Sequence, residues 1–472
     1  PAWLWTHTIT ADIRNEDSTR PVASGMHGLY PGSEREFGGG KGFSWTIRDQ
    51  GSLCDLMSSH PYPHSPSKKP ARVDRVGSLR SNFQAVVESR LYADLGGKPC
   101  LVEEIGTFGP MVCDEARQAS FIRSVLWNTW AHDCRGLLWW CGFEQADLEQ
   151  SPYDWNAWER ELGLFRRDLS PKPVAAELGT FRRLLDNLPP LPPFRRDAVC
   201  LLPRELSPED YLENAWSCFL LAKQAGFDLE FHYADDPLRD SSLYLIPGVK
   251  GQGGLSRHLW LELMERASAG ATVFLSLDSG HLSPFSECFG LRVRNREARE
   301  GGVQFAFAGQ TFSCRSPYRL ELVPEGAEIL AAEPDGNPVL SRFRRGRGTI
   351  WLLTCPVESH LAGKPGAFAP GAPPFWRIYQ AVAETALVQR LVRRREPQLT
   401  LTEHLLAPNQ AVALLYNHLE TELEDELTLA PGWRIVEALP ESGLQGGTRV
   451  RLPAGSGLIL RLTADTRTRS RE

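Results

Sequence analysis

The chain has 472 residues, too many for one ordinary domain and enough for two or three that each bury a core. With 52 basic against 58 acidic side chains the formal charge is −6, so no basic field favours nucleic acid or an anionic membrane. No uninterrupted apolar run approaches the roughly 20 residues of a membrane span, and the N-terminus has no charged-then-apolar signal pattern, so the composition reads as soluble and globular.

Ten cysteines are scattered without a close CxxC pair or a His spacing suited to zinc, so neither a metal nor a cofactor is expected. Cys100, Cys141 and Cys218 fall in apolar segments, where a free thiol behaves as a small buried hydrophobe. That pattern favours a reducing, cytoplasmic setting.

From residue 3, "WLWTHTITADIR" places Trp5, Ile9 and Ile13 at helical spacing, and Pro21 stops any helix. "PVASGMHGL" (21–29) reads as a buried strand. Residues 31–44 are glycine-rich and polar, and "SLCDLMSSHPYP" (52–63) reads as a short strand running into a proline loop. "SNFQAVVESRLYADLGG" (81–97) is an amphipathic helix closed by Gly96 and Gly97, and "KPCLVEEIG" (98–106) is a strand. The helix 116–134 is expected to bury Ala119, Ile122, Leu126 and Trp130, and "GLLWWCGFE" (136–144) is the fourth strand. Such alternation with apolar strands predicts parallel β/α units.

Four prolines, at 189, 190, 192 and 193, cannot sit inside a helix or a central strand and mark a linker. Beyond it, "AVCLLP", a helix over 210–225, "DLEFHYAD", "SSLYLIPG", a helix over 256–269 and "ATVFLSLDSG" alternate again, which predicts an open doubly wound sheet. Short β segments follow from 301. A helix over 374–395 then leads to a tail, 398–465, whose strands read as a small antiparallel β domain.

Glycoside hydrolysis needs one carboxylic acid to protonate the leaving oxygen and one carboxylate to attack or to activate water. In a β/α barrel such groups sit at the C-terminal ends of strands. Glu103 and Glu104 end "PCLV", His60 and Tyr62 end "DLMSS", Trp139 and Trp140 lie on "LLWW", and His27 follows "VASGM". Taken singly, an acidic pair is a solvated turn, a His-Pro-Tyr is a turn with a packed ring, and a Trp-Trp is core. Together they fall at the same end of successive strands.

The run "DSTRPVASGMHG", "DLMSSHPYP", "GKPCLVEEIGTFG" and "GLLWWCGFE" resembles the second half of the clan of retaining glycoside hydrolases that includes family 5, the cellulases and β-mannanases. The resemblance covers residues 1–185 and implies strands 5–8 of a (β/α)8 TIM barrel. It makes Glu104 the nucleophile at the end of strand 7, with Glu103 as its neighbour. Tyr62 would orient that nucleophile and His60 would bind substrate hydroxyls. One of Trp139 and Trp140 would be the sugar floor, since side chains alternate along a strand. His27, Glu103 and Trp45 are further substrate-binding candidates, Trp45 through a 31–50 loop that would shape the cleft.

Residues 196–395 and 398–465 resemble, by architecture, the later domains of family 42 β-galactosidases, where a flavodoxin- or amidotransferase-like α/β domain precedes a β-sandwich-like one. A working amidotransferase would need a cysteine at a strand-to-helix elbow, and "FLSLDSG" (274–280) has none.

One count does not close. At about 30 residues per β/α unit, about 180 residues should precede a strand-7 glutamate, and only 103 precede Glu104. The clan's acid/base glutamate therefore has no counterpart, and since Pro1 is not an initiator methionine the chain reads as part of a longer protein. Three explanations stand. The acid lies upstream in a longer protein or on another chain, the expected partners being a half-barrel that completes the fold or a homo-oligomer. It is recruited from Glu144, Asp147, Glu34 or Glu36. Or the incomplete barrel binds an oligo- or polysaccharide without hydrolysing it. The expected activity is a β-mannosidase, β-mannanase or β-galactosidase.

Overall fold

The computed structural model describes residues 2–26, 28–29, 45–65, 73–151, 153–155, 157–186, 188–203 and 208–464. The chain divides into two compact units. The first draws its described residues from 2–29, 45–195 and 390–464, and the second from 196–389.

The first unit begins with α1 (Ala2–Glu16), α2 (Ile47–Leu53), β1 (Met57–Ser59), α3 (Leu79–Gly96), β2 (Cys100–Ile105), α4 (Glu115–Ala131), β3 (Leu137–Trp139) and α5 (Pro173–Asp186). The strands form an all-parallel sheet in the order β1-β2-β3. Local chemistry sets the helix ends: the Ser78 and Asp114 side chains accept the Ser81 and Arg117 amides at the starts of α3 and α4, and Gly97, at φ 65°, closes α3. Val102 and Ile105 of β2 pack with Ala85, Phe121, Ile122 and Val125 in the core between the sheet and its helices.

Two expectations change here. Residues 21–29 make, among the described residues, a single parallel bridge, Ala23 to Leu56, and no continuous strand. In α1 the buried residues are Ala2, Thr6 and Thr10, while Trp5, Ile9 and Ile13 are 52%, 39% and 44% exposed. The reason is a polar contact: the Trp45 indole N–H and the Gln50 side-chain amide both donate to Thr6 Oγ1 at 3.2 Å, which turns the threonine stripe inward.

The second unit contains β4 (Ala198–Leu202), α6 (Pro208–Ala225), β5 (Leu229–Tyr233), β6 (Leu243–Val249), α7 (Arg257–Ala269) and β7 (Thr272–Leu277), followed by β8 (Leu291–Ala298), β9 (Gly302–Phe307), β10 (Gln310–Arg315), β11 (Tyr318–Pro324), β12 (Glu328–Ala332), β13 (Pro338–Arg345) and β14 (Gly348–Leu353). Its seven-stranded sheet runs β12-β13-β14-β7-β6-β4-β5. The strands β5, β4, β6, β7 and β14 are mutually parallel, in the doubly wound order 2-1-3-4-5, and β13 and β12 extend that sheet antiparallel. Both faces of β4, β6 and β7 are buried, which is why these strands read as continuous apolar runs.

The C-terminal strands include β15 (Val392–Arg393), β16 (Leu399–Ala407), β17 (Gln410–Asn417), β18 (Leu423–Glu426), β19 (Thr428–Leu429), β20 (Trp433–Leu439), β21 (Arg449–Leu452) and β22 (Gly457–Ala464), with an antiparallel sheet in the order β16-β17-β22-β20. They have their own core and cover the outer sides of α3 and α4. Trp127 of α4 packs on Tyr416, and Asn82 of α3 bonds the His418 ring at 3.2 Å. Those two helices are therefore buried nearly all round, beyond the one-sided stripe of an amphipathic pattern. Among the described residues no helix is long and apolar enough to cross a membrane.

Candidate active site

Adjacent residues of a regular strand point to opposite faces, so Glu103 and Glu104 should diverge. They do not, because β2 carries a bulge. Val102 pairs with Leu137 and Ile105 with Trp139, so three steps along β2 match two along β3. Val102 and Ile105 both enter the helix-side core, fully buried, and the two glutamates between them share the other face.

His60, just past the end of β1, meets both. Its Nε2 lies 3.2 Å from Glu103 Oε2 and its Nδ1 lies 3.3 Å from Glu104 Oε2. Neutral imidazole donates to one of these carboxylates, and imidazolium donates to both. Tyr62 donates its phenolic O–H to Glu104 Oε2 at 3.0 Å. Burial, and after it the Glu104 carboxylate, pushes the Tyr62 phenol well above the ordinary tyrosine range, so it remains a donor at any working pH. Phe108, in a left-handed turn at φ 57°, packs its ring 4.6 Å from that of Tyr62. Both bonds to Glu104 fall on Oε2, which leaves Oε1 unengaged among the described residues. The carboxylates keep about a quarter to a third of their surface in solvent.

The two tryptophans diverge. Trp139 turns toward the helix-side core and donates its indole N–H to the Leu162 carbonyl at 3.0 Å. Trp140 continues the ladder, its amide bonding the Ile105 carbonyl at 2.9 Å; it is 37% exposed and donates its indole N–H to Glu159 Oε2 at 3.0 Å. The Trp140–Cys141 peptide is cis. Gly106 makes this crowding feasible, since a Cβ there would lie 3.2 Å from the Trp140 carbonyl oxygen and 3.5 Å from Tyr62 Cε1.

The structure thus brings His60, Tyr62, Glu103, Glu104 and Trp140 to one set of strand ends, with Trp139 beneath. Gly25 passes beside them, its Cβ position 3.9 Å from both Glu103 carboxylate oxygens. Trp45 sits instead against α1, on Thr6 and edge-on to Trp5. His27, Glu34 and Glu36 lie outside the described residues. Glu144 is bound to Lys172 at 2.6 Å and to the Arg167 amide, and Asp147 is paired with Arg167, so both local acid candidates are held in ion pairs. Glu159 went unread, since a carboxylate in "NAWERE" has no spacing that ties it to a strand tip.

In the second unit, burial pushes the thiols of Cys200, Cys288 and Cys355 up, Cys288 to about 11, the opposite of an activated nucleophile.

The fold of the chain is that of glycoside hydrolases in solved structures. An exo-β-1,4-mannosidase from Opitutaceae bacterium strain TAV5 superposes with a TM-score of 0.64 at 18% identity, over 80% of this chain and 68% of that one. A β-galactosidase from Bacillus circulans sp. alkalophilus gives 0.67 at 14% identity, over 96% and 65%. A family 42 β-galactosidase from G. stearothermophilus gives 0.65 at 12% identity, over 98% and 68%. The chain thus spans about two thirds of the length of each. No protein-family model matches the chain, and no curated protein does.

Proposed function

We propose that this chain carries the nucleophile side of a retaining β-glycoside hydrolase acting on β-mannosides or β-galactosides, with Glu104 as nucleophile. The observation that carries the reading is the bond from Tyr62 to Glu104 Oε2, which aims the carboxylate and leaves Oε1 for attack. Oε1 adds to the anomeric carbon as the glycosidic C–O bond breaks. An acid about 5 Å away protonates the departing oxygen, then deprotonates the water that displaces Glu104. Trp140 offers its exposed ring as the sugar floor, and His60 steadies both carboxylates.

The acid is read as lying outside these 472 residues, on β/α units that complete the barrel. The Ala23 bridge, β1, β2 and β3 are then read as occupying the places of its last four strands. Two observations support this: among the described residues the parallel sheet has only three strands and a single Ala23–Leu56 bridge beyond β1, so its edges are a liability unless covered, and α1 leaves Trp5, Ile9 and Ile13 exposed. The second unit and the C-terminal strands are read as the flavodoxin-like and β-sandwich-like domains that accompany family 42 barrels.

The direct test is inactivation of the intact protein with 2-fluoro β-mannosides and β-galactosides, followed by peptide mapping. An adduct on the peptide holding Glu104 supports the assignment, and an adduct on any other peptide overturns it.

A further inference from the structure

Glu159 is a carboxylate near the strand tips that the nucleophile reading leaves without a task. It lies in a short 3-10 turn, Ala157–Glu161, after β3. That turn is tied down at its C-terminal end. The Gln145 amide bonds the Arg160 carbonyl at 3.1 Å, the Arg160 side chain bonds the Ala146 carbonyl at 2.5 Å, Lys172 bonds the Glu161 carbonyl at 2.7 Å, and Trp139 bonds the Leu162 carbonyl at 3.0 Å. Glu159 therefore projects from a fixed base, and its Oε2 accepts the Trp140 indole N–H at 3.0 Å.

An indole ring has two side-chain torsions, and a hydrogen bond from its N–H restricts both. Trp139 is held by backbone and core, whereas Trp140 is 37% exposed and its indole N–H goes to Glu159. A bond to an ionised acceptor is the stronger kind. Glu159 also contributes, after burial and Glu104, to keeping the Tyr62 phenol protonated, so its charge lies within electrostatic range of that phenol.

We propose that Glu159 is a positioning residue: through the Trp140 indole N–H it fixes the plane of the aromatic face on which the sugar stacks. This rests on the glycosidase reading above. It predicts that the acceptor oxygen matters more than the charge, because an amide oxygen also accepts an indole N–H.

The experiment uses the full chain and the E159A, E159Q, W140F and E159A/W140F variants, with isofagomine and 1-deoxymannojirimycin binding measured by calorimetry and the Trp140 indole resonance followed by NMR. E159A is expected to weaken binding about tenfold and to shift the resonance, consistent with loss of one hydrogen bond. E159Q should stay within about twofold of the native protein, and E159A should add nothing in the W140F background. An undiminished effect of E159A in that background, or no effect of E159A on a native protein that binds, overturns the role of Glu159 and leaves the site reading intact. Failure of the native protein to bind either compound overturns the sugar site, and the role of Glu159 with it.

Discussion

Tyr62 and Glu104, 42 residues apart, meet as a 3.0 Å donor–acceptor pair at the tips of adjacent parallel strands. The phenol is locked as a donor because burial and the carboxylate both oppose its ionisation. Y62F keeps the ring against Phe108 and removes only the hydroxyl. The expected result is a fall of about 10–100-fold in the rate of covalent labelling at Glu104, the worth of one hydrogen bond to a charged group, with little change in thermal stability. Labelling at the native rate would show that the bond does not aim the carboxylate.

The shared face of the two glutamates separates their roles. E104Q removes the attacking oxygen and should lower turnover by at least about 10³-fold. E103Q keeps an acceptor beside His60 and should cost about tenfold or less. Steady-state kinetics on aryl β-mannosides and β-galactosides checks the pair, and a larger loss from E103Q would exchange the assignments.

Gly457 starts β22 directly over α4, where a Cβ would lie 2.3 Å from the Trp127 ring. G457A should therefore destabilise by about 1–3 kcal/mol, the usual cost of overpacking, and should do so in the transition of the first unit. Urea denaturation followed by tryptophan fluorescence reads this. An unchanged midpoint would mean that the C-terminal strands do not rest on that helix.

His360 gives the second unit an acid-sensitive element. The Arg315 amide donates to its Nδ1 at 2.9 Å, and burial, with Lys364 nearby, lowers its pKa from 6.5 to about 4. A depressed histidine stays neutral in the folded chain while the unfolded chain takes up a proton. Its contribution to stability is therefore fully present above about pH 6.5 and is lost as pH falls toward about 4. H360N, which keeps an acceptor for the Arg315 amide, should flatten that part of the stability profile in thermal melts. An identical slope in the variant would assign the effect to other groups.

Much of this was legible in the sequence because it rests on short-range patterns. The glycine pair at 96–97, the apolar runs of β4, β6 and β7 and the proline linker each dictate local structure by chemistry that needs no partner. The convergence of His60, Tyr62 and the glutamates was legible for the same reason, since each follows a strand. The rest depended on contacts across the fold. Nothing in "WLWTHTITADIR" says that Thr6 will take bonds from Trp45 and Gln50 and turn Trp5, Ile9 and Ile13 outward. Glu159 was hidden likewise, its importance arising only from where a tied-down turn delivers it.

The extra residue in β2 makes the site sensitive to changes in chain length as well as to changes in side chain. Deleting either residue between Val102 and Ile105 would restore simple alternation against β3, with Val102 and Ile105 still in the apolar layer and a single carboxylate left on the opposite face. Insertions in the loops beyond the strand ends would leave that register intact. A single-codon loss here would dismantle the carboxylate pair itself, so this six-residue strand should be among the segments of the chain least permissive to insertion and deletion.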